Sequence, residues 1–189
     1  METKFGIDAM MTFPRICKIA LALLFAGLAG CTLRPTTPLP TVESVDLARY
    51  MGEWYEIALL PNRFQSMCVA DTQASYRLDG DVVRVRNRCR NADGAIEEAV
   101  GIAKAVEGSR NAKLRVSFFR PFYGDYWVLA LDPDYRWVLI GEPSREYGWV
   151  LSRTPSLDDT SLQIALDKAA ALGFDRAAFR RTPQITPLE

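Results

Sequence analysis

Eight runs rich in β-branched and aromatic residues follow one another along the chain, at roughly 54–60, 69–78, 81–89, 96–107, 113–119, 126–132, 136–141 and 148–153. Runs of this length with turn signals between them mark an antiparallel all-β fold. The connections are short, and "LDGD", "NADG", "EGSRNA", "RPFYG", "DPDY" and "EPSREY" have the composition of hairpin turns. Eight strands joined in order can close into an up-and-down barrel whose interior holds one small ligand. A sandwich of the same strands stays open at this point, because strand count does not separate the two.

One helix follows the strands. Ser156 is a candidate N-cap with Asp159 at the third helical position, and Leu162, Ala165, Leu166, Ala169 and Leu172 recur at helical spacing before Gly173 ends the segment. A single amphipathic helix after the last strand is expected to lay its apolar stripe on the outer wall of the barrel. "GFDRAAF" is expected to add a short final turn or strand.

The N-terminus has a different character. From Met11 the chain carries Arg15 and Lys18, an apolar run from Ile19 to Ala29, and then small residues, which is the layout of a secretory signal. The apolar run is too short to span a bilayer. "LAGC" at 28–31 resembles the lipobox of bacterial lipoproteins, which implies cleavage before Cys31 and attachment of acyl chains such as palmitate to it. An ordinary signal peptide followed by an unrelated cysteine is the alternative. Glu2 and Asp8 are atypical of a signal's basic start, so Met11 is a candidate true start. Several acyl chains on one cysteine exceed what stable anchoring requires. Thr32, rather than Asp, follows the cysteine, and by resemblance to the bacterial sorting rule this favours the outer membrane, on its periplasmic face. The expected organisation is a signal peptide over 1–30, the lipidated cysteine with a proline-rich extended tether over 31–43, and the folded domain over 44–189.

Charge and composition narrow the chemistry. Lys plus Arg equals Asp plus Glu at 23 each, so nothing in the bulk charge points to nucleic acid. Histidine is absent, which removes Ser-His-Asp and Cys-His catalysis and histidine metal sites. Neither a metal nor another cofactor is expected.

Three short motifs stand in order around the strand pattern: Gly52-Glu53-Trp54 on the first run, "GDYW" with Asp125-Tyr126 near the sixth, and Arg153 at the end of the last. With them the chain resembles the lipocalin family, and within it the bacterial outer-membrane lipoprotein lipocalins close to apolipoprotein D and the plant temperature-induced lipocalins. The second motif departs from the family pattern, since Gly124 stands where a threonine is usual. The resemblance spans about 44–181 and implies an eight-stranded calyx closed at one end by Trp54, with Arg153 lying against its ring as a cation–π contact.

Strand alternation then sorts the side chains. Pairing Tyr76 with Asp81 sets Ala74 opposite Val83, Thr72 opposite Val85 and Cys68 opposite Cys89, and in an exported protein two facing cysteines predict a disulfide. Arg84, Arg86 and Arg88 occupy the other face, with Arg90 beyond, as a solvated outer wall or a stripe facing lipid headgroups. Across Arg120-Pro121, Leu114, Val116 and Phe118 are expected to point inward and to bring Tyr123, Trp127 and Leu129 to the same face. On the last strand the family pattern puts Trp149 and Leu151 inward above Arg153. The expected ligand-lining set is therefore Val116, Phe118, Tyr123, Trp127, Leu129, Trp149 and Leu151. Glu56 shares the face of Trp54, and a buried carboxylate there needs Tyr or Arg partners.

The function this reading favours is a non-enzymatic, membrane-anchored carrier that takes fatty acids or lysophospholipids into an apolar barrel, for lipid storage or transport and envelope maintenance. A lipocalin-like enzyme acting on a lipid is one alternative. Its acidic candidates, Glu97-Glu98 and Asp158-Asp159, are adjacent pairs that a strand would point to opposite faces. A ligand-free structural envelope domain is another alternative. Whether the chain forms a homodimer is open.

Overall fold

The computed structural model describes residues 37–186 and 188. Residues 1–30, read above as a signal peptide, together with Cys31 and the first part of the segment read as a tether, lie outside the described residues. The element order is helix α1 (Leu47–Tyr50), then strands β1 (Gly52–Leu59), β2 (Cys68–Asp79), β3 (Val82–Asn91), β4 (Ile96–Ala105), β5 (Lys113–Phe119), β6 (Phe122–Leu131), β7 (Trp137–Gly141) and β8 (Gly148–Ser152). Helix α2 (Asp159–Ala171) and a two-residue strand β9 (Arg180–Arg181) follow. From β1 to β8 each strand pairs antiparallel with its sequence neighbour, and β1 pairs with both β2 and β8. That double pairing closes the sheet into an eight-stranded up-and-down barrel, and the sandwich alternative falls.

Side chains divide into two apolar clusters, one on each side of the barrel wall. Trp54, Val83, Val85, Ala103, Leu114, Val128, Val138 and Leu151 belong to the interior cluster. Leu129, Trp137, Leu139 and Val150 alternate with them along the strands and meet Leu162, Ala165 and Ala169 of α2 on the outside. The helix thus covers the wall as its periodicity predicts. Its N-cap is Asp158, whose side chain accepts from the Ser161 amide at 2.9 Å, rather than Ser156. Gly173, at φ +88°, follows the C-cap in the left-handed conformation that favours glycine.

The β2–β3 register differs from expectation. The β2–β3 hairpin closes through a two-residue turn, Gly80-Asp81, with Asp79 opposite Val82 and Tyr76 opposite Val85. Gly80 sits at φ +59°, which the first position of such a turn requires. The strands therefore run further before turning than the expected pairing of Tyr76 with Asp81 allowed. The shift is an even number of residues, so the faces are unchanged. Cys68 lies opposite Asn91, yet irregular pairing over Cys68–Gln73 sets its Cα 5.5 Å from that of Cys89, and the disulfide is formed.

At the seam between β1 and β2 the two strands pair only from Gly52 to Tyr55 on β1. Beyond that point β9 takes the free edge of β1, with Ala58 opposite Arg181, and the C-terminal segment fills the gap. The Gln184 side-chain amide donates to the carbonyls of both Glu56 and Thr72, at 2.9 Å each. Asp71, buried and at φ +55°, accepts from the amides of Ile185 and Thr186 and from Arg90.

The segment read as a tether is docked from Thr37 onward. The Thr37 carbonyl accepts from Arg145, Leu39 is buried in the outer cluster, and the Val42 amide donates to Val128.

Candidate ligand cavity of the barrel

The closed end of the barrel is built by the residues that follow α1. Gly52 adopts φ +97°, a conformation that a side chain would strain, and it turns the chain so that Trp54 enters the interior, fully buried. The Trp54 indole donates to the Tyr50 carbonyl at 2.8 Å. Arg153 lies with its guanidinium carbon 3.9 Å from the ring centre and donates to the carbonyls of Glu53 and Arg49, at 2.9 and 2.6 Å. The floor is therefore an indole backed by a cation that carbonyl groups hold in place.

Above the floor the barrel changes from filled to open. Leu114 and Val128 are buried, whereas other inward positions are accessible: Tyr126, opposite Leu114, is half-buried, as are Val116 and Trp149, and Ala99 and Gly124 are exposed. Phe118 faces the same way and packs on Gly101, where a Cβ would lie 2.8 Å from its ring. The open end is rimmed by apolar side chains, with Phe119 and Phe122 stacked at 6.3 Å and 74% and 70% exposed, and with Phe64 61% exposed. Tyr147 bridges Phe64 and Trp149, at ring separations of 5.6 and 6.4 Å.

Of the expected lining residues, Val116, Phe118, Trp149 and Leu151 face the interior. Tyr123, Trp127 and Leu129 do not. The β5–β6 register is irregular between Val116 and Phe119, so Phe119 opposes Phe122 while Val116 opposes Gly124 and Leu114 opposes Tyr126. One extra residue in β5 moves the partner strand by one position and reverses the face of every residue beyond it. Leu129 accordingly packs under α2. Trp127 lies on the outer face with the Lys113 ammonium 3.9 Å from its ring centre, and Tyr123 lies beside Arg115. The motif residue Asp125 stands opposite Arg115, and its neighbour Tyr126 points inward.

The inward Tyr126 belongs to a group that strand alternation did not reveal. Its hydroxyl lies 2.7 Å from that of Tyr50 and 3.1 Å from that of Tyr76. Burial raises all three phenols, Tyr76 to about 12 and the other two well above 10, so each is a neutral donor in the physiological range. Tyr76 was legible as an inward residue of β2, but Tyr50 precedes β1 on a helical turn, so no strand period reaches it.

A second polar group sits nearer the mouth. Glu56 is buried and accepts from the Gln65 amide at 2.7 Å and from the Thr182 hydroxyl at 2.5 Å, so its partners are not the expected Tyr or Arg. Gln65 in turn accepts from the Trp149 indole at 2.7 Å. Burial pushes the Glu56 carboxyl up, against these hydrogen bonds.

The arginines of β3 lie on the outer face, largely engaged with their own sheet. Arg84 pairs with Asp79, Arg88 donates to Gln73 and Arg90 pairs with Asp71. Three of the four acidic candidates are likewise occupied. Glu97 accepts from Asn91, Asp158 caps α2 and Asp159 pairs with Arg181.

Comparison with known proteins agrees with this geometry. The lipocalin-like domain family matches residues 45–184. Temperature-induced lipocalin-1 of Arabidopsis thaliana is 40% identical over 156 residues, 77% of this chain and 83% of that protein. The outer membrane lipoprotein Blc of Escherichia coli K12 is 39% identical over 169 residues, 87% and 95% of the two chains. Apolipoprotein D of Macaca fascicularis is 36% identical over 157 residues, 77% and 81%. Among solved structures, insecticyanin from the tobacco hornworm Manduca sexta superposes with a TM-score of 0.65 at 20% identity, covering 79% and 86%, a likeness of fold alone. Sequence match, closed barrel and the floor of Trp54 and Arg153 converge, and the chain belongs to the lipocalin family, whose members bind small hydrophobic ligands.

Proposed function

We propose that this lipocalin is a non-enzymatic, membrane-anchored protein that binds single-chain lipids, fatty acids or lysophospholipids, for lipid storage or transport in the outer envelope. The observation that carries the reading is the division of the interior: sealed at Trp54, open above Tyr126, and rimmed by exposed phenylalanines. Affinity in such a site comes mainly from burying methylenes, at about 0.8 kcal/mol each. Chain length then matters more than the chemistry of the head group.

The outer membrane location is supported by relatives that are themselves named outer membrane lipoproteins. The course of the chain adds an orientation. Thr37 is held by Arg145 in the loop between β7 and β8, which lies at the open end. Cys31 precedes it by six residues (37 − 31), which an extended chain spans in at most roughly 20 Å. An anchor at Cys31 on the periplasmic face would therefore hold the mouth and its apolar rim towards the bilayer.

The test is native mass spectrometry, with lipid extraction, on the full chain carrying Cys31→Ser, which removes the acyl acceptor. A bound mass matching a fatty acid or lysophospholipid is the expected result. An empty protein that also refuses added long-chain lipids would instead indicate a structural envelope domain, and chemical conversion of the bound lipid would indicate an enzyme.

A further inference from the structure

The three floor tyrosines share their hydroxyl groups incompletely. Tyr50, Tyr76 and Tyr126 carry one hydroxyl hydrogen each, and two O···O contacts, both through Tyr126, link them. Each contact uses one hydrogen, so one of the three is left over whichever way the bonds run. No other acceptor for these hydroxyls occurs among the described residues. Tyr50 and Tyr76 are buried, and Tyr126 is the member that opens to the cavity. If the two buried phenols donate to Tyr126, the spare hydrogen sits on the one phenol of the three that is half-buried.

An unused acceptor lies close by in the sheet. Asn87 shares the inward face of Val83 and Val85 and stands opposite Ala74, one inward position nearer the mouth than the pair Tyr76 and Val85. Its side-chain oxygen is buried and has no partner. Buried polar groups are normally satisfied, and a donor and an acceptor left unmade on neighbouring inward positions of a ligand cavity are satisfied by what fills it.

We infer that this barrel selects lipids bearing a neutral oxygen group, above all a hydroxyl, at the chain end that enters first, with Tyr126 donating to that oxygen and Asn87 accepting from it. The inference rests on the lipid-binding reading above and names the ligand feature. A hydroxyl can accept one hydrogen bond and donate another, so it uses both groups, whereas a plain methyl terminus uses neither. An ionised carboxylate fits poorly, because a buried anion needs several donors or a facing cation. Arg153 lies behind the Trp54 ring with its guanidinium committed to two carbonyls. The acidic or phosphate head therefore stays at the mouth.

The test compares dodecanoic and hexadecanoic acids with their terminally hydroxylated counterparts, by calorimetry on the full chain carrying Cys31→Ser. In an entirely apolar cavity the terminal hydroxyl would weaken binding. Here the hydroxy acid of the better-fitting length is expected to bind about tenfold more tightly than its parent. Tyr126→Phe removes the half-buried hydroxyl, and the two hydrogens it frees are on the buried Tyr50 and Tyr76, so the preference should be lost. Tyr76→Phe still leaves one spare hydrogen among the remaining two phenols and should retain it, which also controls for a general loss of packing. Weaker binding of both hydroxy acids than of their parents in the unsubstituted cavity, or a preference that survives Tyr126→Phe, overturns the inference while leaving lipid binding intact. Failure of all four acids to bind overturns both.

Discussion

The guanidinium of Arg153 lies 3.9 Å from the centre of the Trp54 ring and is held there by the carbonyls of Glu53 and Arg49. Trp54 is fully buried, so truncating it removes the base of the interior cluster. Trp54→Ala is expected to cost about 3–5 kcal/mol, measured by urea denaturation, and an unchanged midpoint would refute the role of Trp54 as floor. Arg153→Ala should cost about 1–3 kcal/mol, through the lost cation–π contact and two charge-assisted hydrogen bonds.

The Cys68–Cys89 disulfide closes a loop with a sequence separation of 21 residues. Constraining a loop of that length in the unfolded chain is worth about 3 kcal/mol. Reduction, or the double replacement of Cys68 and Cys89 by Ala, should lower stability by that order with the barrel still formed. Equal unfolding midpoints with and without reductant would refute the prediction.

Two buried carboxylates pull the pH profile in opposite directions. Burial holds Glu56 above the usual carboxylate range, so its contribution favours the folded state below that range and is lost as pH rises through the raised value. Burial also pushes Asp71 up, but hydrogen bonds from Arg90 and from the amides of Ile185 and Thr186 outweigh it and hold that carboxyl low. Its stabilisation is present above the usual range and is lost as pH falls through the lowered value. Glu56→Gln should therefore raise stability at neutral pH and flatten the alkaline side of the profile, whereas Asp71→Asn should lower neutral stability and flatten the acidic side. Melting temperatures from about pH 3 to about pH 9 test both signs.

Phe119 and Phe122 form a stacked, exposed pair at the open end. If the mouth faces the bilayer, each ring contributes apolar area on contact, and the double change Phe119→Ser and Phe122→Ser should weaken partition of the anchor-free chain onto phospholipid vesicles at least about tenfold. Co-sedimentation reads this directly, and unaltered partition would argue against a mouth-down orientation.

Much of the architecture was legible because strand formation is a local matter. The eight runs lie within a few residues of the eight strands, and the helix stripe of Leu162, Ala165 and Ala169 is the face that is buried. Gly52, Trp54 and Arg153 could be read as one unit because the family pattern joins residues that are a hundred positions apart. The disulfide was legible for a weaker reason: face parity survives an even register shift, so Cys68 and Cys89 stayed on one side of the sheet although neither lies opposite the other.

Strand order, the closed end and the apolar stripe of the helix can be read from the residues in order, since each rests on short-range periodicity or on a motif. The faces of β6 and the partners of Glu56 came only with packing of the whole barrel. A single irregularity between Val116 and Phe119 turned Trp127 and Leu129 from the cavity to the outer wall, and no local pattern announces a bulge. Thr182 reaches Glu56 across 126 positions because β1 and β2 part and leave a seam that the C-terminal segment fills. Alternation specifies which residues share a face of one strand; which partner that face meets depends on register and closure, set only when the whole barrel packs.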